Sequence, residues 1–309
     1  MRWRFVERKW LYFLLSGLFI VPGTVFLLLG GLRPGIEFRG GTLLDVRFTS
    51  APAAAEVFEV MSSAGHAEAQ IQRAEGERIL VRTLQLTIGE QVDAQDALKA
   101  RFGDALVDVT PSSVSPSFSA EIVQNAVYAI VAASGLIVLL IAFAFRGFGW
   151  AAFRYGLAAI VTLLHDALFI LGTFAMLGYF FGVEVDSLFV TAVLTVIGFS
   201  VHDTIVVFDR IRENLRLNPG EPLNAVINFS ITQTLVRSVV SGMTTILVLL
   251  ALFLFGGYSI RNFMLALLIG IFVGTYSSIF NAAQIISLWQ EVEDRFRGRP
   301  KGPRPAAAT

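Results

Sequence analysis

The feature that most restricts this chain is a succession of apolar runs, each long enough to cross a lipid bilayer. Residues 10–32 carry no charge, and further apolar runs fill most of 121–145, 155–182, 187–209, 230–257 and 262–290. A spanning helix needs about 20 predominantly apolar residues. Because lipid offers the backbone no hydrogen-bond partners, uncharged runs of this length are read as helices. The composition agrees: 55% of residues are hydrophobic and 16% charged, where a soluble domain carries about 25% charge. The expectation is a membrane α-helical protein with six transmembrane helices. The start of the chain, with Arg2, Arg4, Arg8 and Lys9 before the first run, has the charge pattern of a signal peptide. That run is too long and lacks a small-x-small cleavage site, so it reads as an uncleaved helix, bent or broken near Pro22-Gly23.

Residues 33–120 differ in kind. From Arg33 to Glu121 there are 8 basic and 13 acidic residues, a net of −5, which the rest of the chain balances at +5. The pattern predicts strands over 37–48, 68–73, 78–86 and 105–109, helices over 53–64 and 89–102, and a Pro- and Ser-rich linker over 111–119. Gly40-Gly41 would mark a kink or bulge in the first strand. This β-α-β-β-α-β order is that of a ferredoxin-like α+β domain, inserted after helix 1. Catalytic residue types do not cluster in it, which favours a binding or mechanical module over an active site.

Several chemistries are disfavoured. The chain has no cysteine, so disulfide frameworks and thiolate sites are excluded. With three histidines, one of them in the inserted domain, zinc binding is not expected. No Gly-x-x-x-x-Gly-Lys-Ser/Thr phosphate loop occurs. An energised process run by this chain would draw on a gradient or a partner; no metal, cofactor or nucleic acid is expected.

Lys and Arg in the short flanks set the expected orientation. With the N-terminus inside, 1–9, the segment around Arg146 and Arg154, the loop 210–229 with Arg210, Arg212 and Arg216, and the tail 291–309 are all basic and cytoplasmic. The short outer loops then hold Arg261 against Glu184 and Asp186. The acidic domain falls outside, and the Pro- and Ala-rich 298–309 reads as disordered.

From Ser187 to Phe208, within the fourth span, Asp203 is the one carboxylate. An ionisable group at that depth costs roughly 2.5–3.5 kcal/mol on insertion scales and marks a functional site by default. A second reading stays open: Arg210, about 10 Å further along the helix, would let Asp203 reach water. In the fifth span Gln233, Thr234, Arg237, Ser241, Thr244 and Thr245 share a face that should meet other helices or water. Arg237 could pair with Asp203 or snorkel to headgroups. Ser200 shares the Asp203 face, whereas His202 is turned about 100° away. The third span repeats the dipeptide as His165-Asp166, and two His-Asp pairs could form a proton relay or serve as hydrogen-bond glue between helices. The sixth span offers Gly270, Gly274, Ser277, Ser278, Asn281 and Gln284 along one side, a surface suited to close packing.

The string Gly198-Phe199-Ser200-Val201-His202-Asp203-Thr204-Ile205-Val206-Val207-Phe208-Asp209-Arg210-Ile211-Arg212-Glu213 resembles the fourth-helix signature of the SecF family. SecF is a subunit of the SecD–SecF protein-export complex in the resistance-nodulation-division (RND) superfamily. The likeness extends to Glu37-Phe38-Arg39-Gly40-Gly41-Thr42, to His165-Asp166 and to Leu235-Val236-Arg237-Ser238. It implies a multi-pass protein of the bacterial cytoplasmic membrane that uses the proton-motive force to help draw preproteins outward. The implied partners are a SecD-like subunit, the SecY–SecE–SecG translocon, a YajC-type subunit, translocating preproteins and membrane lipids. The implied proton-linked pair is Asp203 and Arg237, with Asp166 in support. Glu37, Phe199 and His202 depart from the family's usual Asp, Tyr and Asn, and His202 puts a titratable ring beside the key carboxylate. A rival reading is an RND-type exporter of small molecules or lipids, but such chains typically carry two large external domains.

Overall fold

The computed structural model describes residues 4–74, 76–146, 150–257 and 260–296. The tail expected to be disordered, 298–309, lies outside the described residues, as does most of the basic cluster in it. The described chain divides into two compact units, Pro34–Tyr128 and the described parts of Met1–Arg33 and Ala129–Thr309.

A 3-10 turn, Val6–Arg8, leads into α1, Lys9–Leu29, which continues as helix through Pro22. The smaller unit then holds α2, Ile36–Arg39; β1, Gly41–Phe48; α3, Ala54–Ser63; β2, Gln70–Ala74; β3, Arg78–Thr83; α4, Ile88–Phe102; and β4, Leu106–Val114. The strands form one antiparallel sheet in the order β2-β3-β1-β4. Its inner face and the two helices bury Leu44, Val46, Phe48, Val57, Met61, Ile79, Val81, Ala94 and Leu98. Each large aliphatic or aromatic side chain so buried contributes about 1.5–3 kcal/mol.

Two local elements differ from the sequence expectation. Residues 37–39 form a helical turn, and the strand begins at Gly41. Gly40 and Gly41 have φ of 75° and 117°, and a Cβ on Gly41 would lie 2.6 Å from Thr83 O, so only glycine fits that junction. The expected linker 111–119 is ordered: Val114 to Asp108 pairs with Gly41 to Arg47 of β1. Pro111 is tolerated because β4 is an edge strand, where a missing N–H costs no ladder bond.

The remaining helices are α5, Pro116–Phe145; α6, Trp150–Phe181; α7, Ser187–Leu217; α8, Leu223–Phe255; and α9, Arg261–Ser277. A π-helical stretch, Ser278–Ala282, joins α9 to α10, Ala283–Phe296. Among the described residues six helical stretches are long and apolar enough to cross a membrane, the sixth being Arg261–Phe296. The polar segment expected to be a loop, 210–229, is mostly helix. Polarity there marks where helices leave the apolar layer: Asn214 donates to Ser230 Oγ and Gln233 Oε1, both at 2.8 Å, tying α7 to α8.

Burial shows where the centre lies. In their most apolar windows, 50% of α7 and 56% of the sixth span are buried, against 6% of α5 and 17% of α8. Glycines bring the central helices close. A Cβ on Gly270 would meet Val196 Cγ2 at 2.3 Å, and one on Gly274 would meet Ser200 Cβ at 3.1 Å.

Candidate functional site

The packing of α1, α6, α7 and the sixth span buries a polar network. Asp166, fully buried on α6, is its hub. Its Oδ2 accepts from Ser277 Oγ at 2.8 Å and from Ser200 Oγ, while His165 Nδ1 lies 2.8 Å from its Oδ1. Three hydrogen-bonding neighbours make a carboxylate tolerable at a fully buried position, where an unmet charge would be costly. On the other edge of the imidazole, Nε2 is 2.8 Å from Ser16 Oγ of α1 and 3.0 Å from Asn281 Nδ2. Asn281 Nδ2 also donates to Ser16 Oγ at 2.8 Å. Ser278 Oγ donates to the Ser200 carbonyl at 3.0 Å, so in its 2.9 Å contact with Thr204 the threonine must be the donor. That spends the Thr204 proton locally, and among the described residues no hydroxyl chain runs on from it to Asp203.

Asp203, 6% exposed, lies on the same helix as Ser200 but outside this network. Its Oδ2 is buried and has no hydrogen-bond partner among the described residues. Ser238 of α8 brings a buried hydroxyl within reach of the Asp203 carboxyl, with no hydrogen bond of ordinary geometry at its Oγ among the described residues. The His202 ring and the Arg237 guanidinium are the groups within electrostatic reach of the Asp203 carboxyl. Both side chains are exposed, and neither forms an ion pair with Asp203 among the described residues.

The sequence-predicted residues therefore separate into groups. His165, Asp166, Ser200 and Asn281 are brought together. His202 lies on the outer side of α7, so the two His-Asp pairs do not join into a relay in this arrangement. Arg237, Ser241 and Thr244 are exposed on α8, and Thr245 is half-buried. The Thr244 and Thr245 hydroxyls turn back to the Val240 and Ser241 carbonyls at 2.7 and 3.1 Å. None of the described helices covers Arg237, Ser241 and Thr244. At the end of α7, Asp209 pairs with Arg212 at 3.4 Å, and Arg210 donates to Gln233 at 2.7 Å and pairs with Glu213. Glu37, Phe38, Gly40 and Gly41 form the tight junction into β1, well apart in sequence from these helices.

Two features escaped the sequence reading. Ser16 is a single hydroxyl in an uncharged run, with nothing in its spacing to mark it. The ion pairs of the sixth helix were also missed: Lys9 with Glu291 at 2.5 Å, and Arg154 with Glu293, Arg154 also donating to Gln290 at 2.8 Å. They join positions more than 130 residues apart, which no local pattern connects.

Comparison with known proteins gives a consistent result. Residues 94–292 match the family described as protein export membrane protein SecD/SecF, C-terminal, and residues 25–52 match the SecD/SecF GG motif. The protein translocase subunit SecF of Thermobaculum terrenum is 45% identical over 100% of this chain and 98% of its own length. That of Anaerolinea thermophila is 38% identical over 97% of this chain and 98% of its own. Among solved structures, SecDF, a translocon-associated membrane protein from Thermus thermophilus, superposes with a TM-score of 0.82 at 32% identity. The match covers 94% of this chain and 39% of that one. SecDF in a super-membrane-facing form gives 0.67 at 29% identity, covering 96% and 40%. The chain belongs to the SecD/SecF family of protein-export membrane proteins, with SecF subunits as its full-length relatives.

Proposed function

We propose that this chain is the SecF half of a protein-export motor of the cytoplasmic membrane, driven by the proton-motive force, with Asp203 as the group that loads and releases the proton. The observation that carries this reading is the buried Asp203 Oδ2, without a hydrogen-bond partner among the described residues, on the helix next to an exposed polar face of α8. A carboxylate withdrawn from water gains or loses a proton according to its distance from a fixed charge, and Arg237 supplies a charge present at any ordinary pH. The gradient then biases two helix arrangements. A potential of 100 mV is worth about 2.3 kcal/mol per charge moved across the membrane, enough to shift such an equilibrium.

The uncovered face with Arg237, Ser241 and Thr244 would be unfavourable against lipid. This supports a SecD-like subunit seated there, completing a twelve-helix unit, since the solved SecDF chain is about two and a half times as long. The SecY–SecE–SecG channel, a YajC-type subunit and translocating preproteins are the further partners of this reading. It places both termini in the cytoplasm and Pro34–Tyr128 outside, acting mechanically and not as an enzyme. Affinity purification of the tagged chain from native membranes tests it. Recovery of a SecD-like chain in equal amount, lost with Arg237→Leu and Ser241→Leu together, is expected. A chain recovered alone, still supporting export, would refute it.

A further inference from the structure

We infer that Ser16, His165 and Asn281 form a second proton-holding site, in which Asn281 is the positioning residue that fits both charge states of the imidazole. This rests on the proton-coupled reading above and adds to it a group that reading does not need.

His165 Nδ1 faces Asp166 Oδ1 and the other oxygen of that carboxyl accepts from two serines; with Asp166 ionised, Oδ1 can only accept, so Nδ1 carries the hydrogen. The charge of the ring is then decided at Nε2. With Asn281 Nδ2 turned toward it, Nε2 is an acceptor and the ring is neutral. That orientation leaves Asn281 Oδ1 buried without a hydrogen-bond partner among the described residues, in a residue 2% exposed. Turning the amide over brings Oδ1 to Nε2, where it accepts from a second N–H and suits the imidazolium, with Asp166 as counter-charge. Leucine offers neither group and aspartate only the acceptor. Asn281 also lies in the π-helical stretch Ser278–Ala282, and such interruptions of α-helix are frequent at functional sites.

Among the described residues the titratable group in contact with the ring is Asp166 on its own helix; beyond Ser16 lies Tyr276 on α9, with Tyr12 of α1 next to it. The nearest cation along α1, Lys9, is paired with Glu291. Ser16 and Asn281 are the neighbours that read the proton without titrating.

The chain has three histidines, so a His66→Gln, His202→Asn background leaves His165 as the single imidazole. Full-length protein labelled with 15N-histidine, in lipid nanodiscs, is followed by NMR between about pH 5 and 8. The ring should pass from the neutral Nδ1–H form to the doubly protonated form as pH falls. At the pH where the parent is half charged, Asn281→Leu should lower the charged-to-neutral ratio about tenfold, the loss of one hydrogen bond to a charged group. Asn281→Asp should raise it. Should Asn281→Leu fail to insert, Ser16→Ala is read in the same way and should lower the ratio about threefold, a weaker loss of the same kind. A ring that never charges, an Nε2–H neutral form, or ratios within twofold of the parent would overturn the inference. Because export is not the readout, a failure of the Asp203 reading would leave this result standing, and the reverse also holds.

Discussion

Gly172→Ala tests how the buried network is held. A Cβ on Gly172 would lie 2.7 Å from Gly23 Cα and 2.8 Å from its carbonyl carbon. Carbon atoms in contact prefer about 3.5–4.0 Å, and backbone cannot yield as a flexible side chain does, so α1 and α6 must part by about 1 Å. Seven residues earlier on each helix, Ser16 meets His165 at 2.8 Å. The same separation would take that contact beyond hydrogen-bond range. Overpacking costs about 1–3 kcal/mol and the lost hydrogen bond about 1, together about 2–4 kcal/mol. Gly17→Ala is the control, since a Cβ there meets nothing within 4 Å and the residue adjoins Ser16. Equilibrium unfolding in mixed micelles, titrated with sodium dodecyl sulfate, should shift strongly for Gly172→Ala. It should move by no more than about 0.5 kcal/mol for Gly17→Ala. Equal stability of the two variants would refute the reasoning.

Further expectations concern the smaller unit and the topology. Thr87 caps α4 by accepting from the Glu90 N–H at 3.4 Å, and Glu90 returns the contact to the Thr87 N–H at 2.7 Å. Thr87→Ala should cost about 1 kcal/mol, read as faster hydrogen exchange in the first turn of α4. The Thr87 backbone N–H, and then its hydroxyl, hold the Glu90 carboxyl below its ordinary range. Its contribution is therefore full above the unfolded value of about 4.3 and fades as pH falls below it. Glu90→Gln should abolish that dependence; exchange in this turn that is unchanged by acid in the parent would count against the cap. For topology, Ser63→Cys should react with an impermeant reagent on intact cells and Asn218→Cys should not. The opposite pattern would reverse the orientation.

The spans were legible because lipid leaves helices as the only solution for uncharged runs, and Gly40-Gly41 was legible as a backbone irregularity. The sequence could not show that residues 37–39 coil into a turn before β1, since that depends on the contact between Gly41 and Thr83. Nor did polarity after Asp209 reveal that α7 runs on to Leu217. Asn214 is satisfied by Ser230 and Gln233 of a helix that follows, and such partners are invisible to local pattern. In the membrane, helical spacing singled out Asp203, Asp166, His165, Ser200 and Asn281. It could not tell that Asp166 joins Ser277 while Asp203 stays outside the network. Spacing fixes the face of a helix, whereas the partner is set by which helices pack together.

The account turns on Asp203, and its most direct test is export into inverted membrane vesicles with and without an imposed proton gradient, comparing the parent chain with Asp203→Asn. The variant keeps the shape of the side chain and removes its titration, so insertion and recovery of the SecD-like chain should be unchanged. The account predicts that the gradient accelerates export in the parent and has no effect in the variant, with Asp203→Glu partly active. A gradient response in Asp203→Asn equal to that of the parent would show that this carboxylate only holds helices together, and would contradict the account.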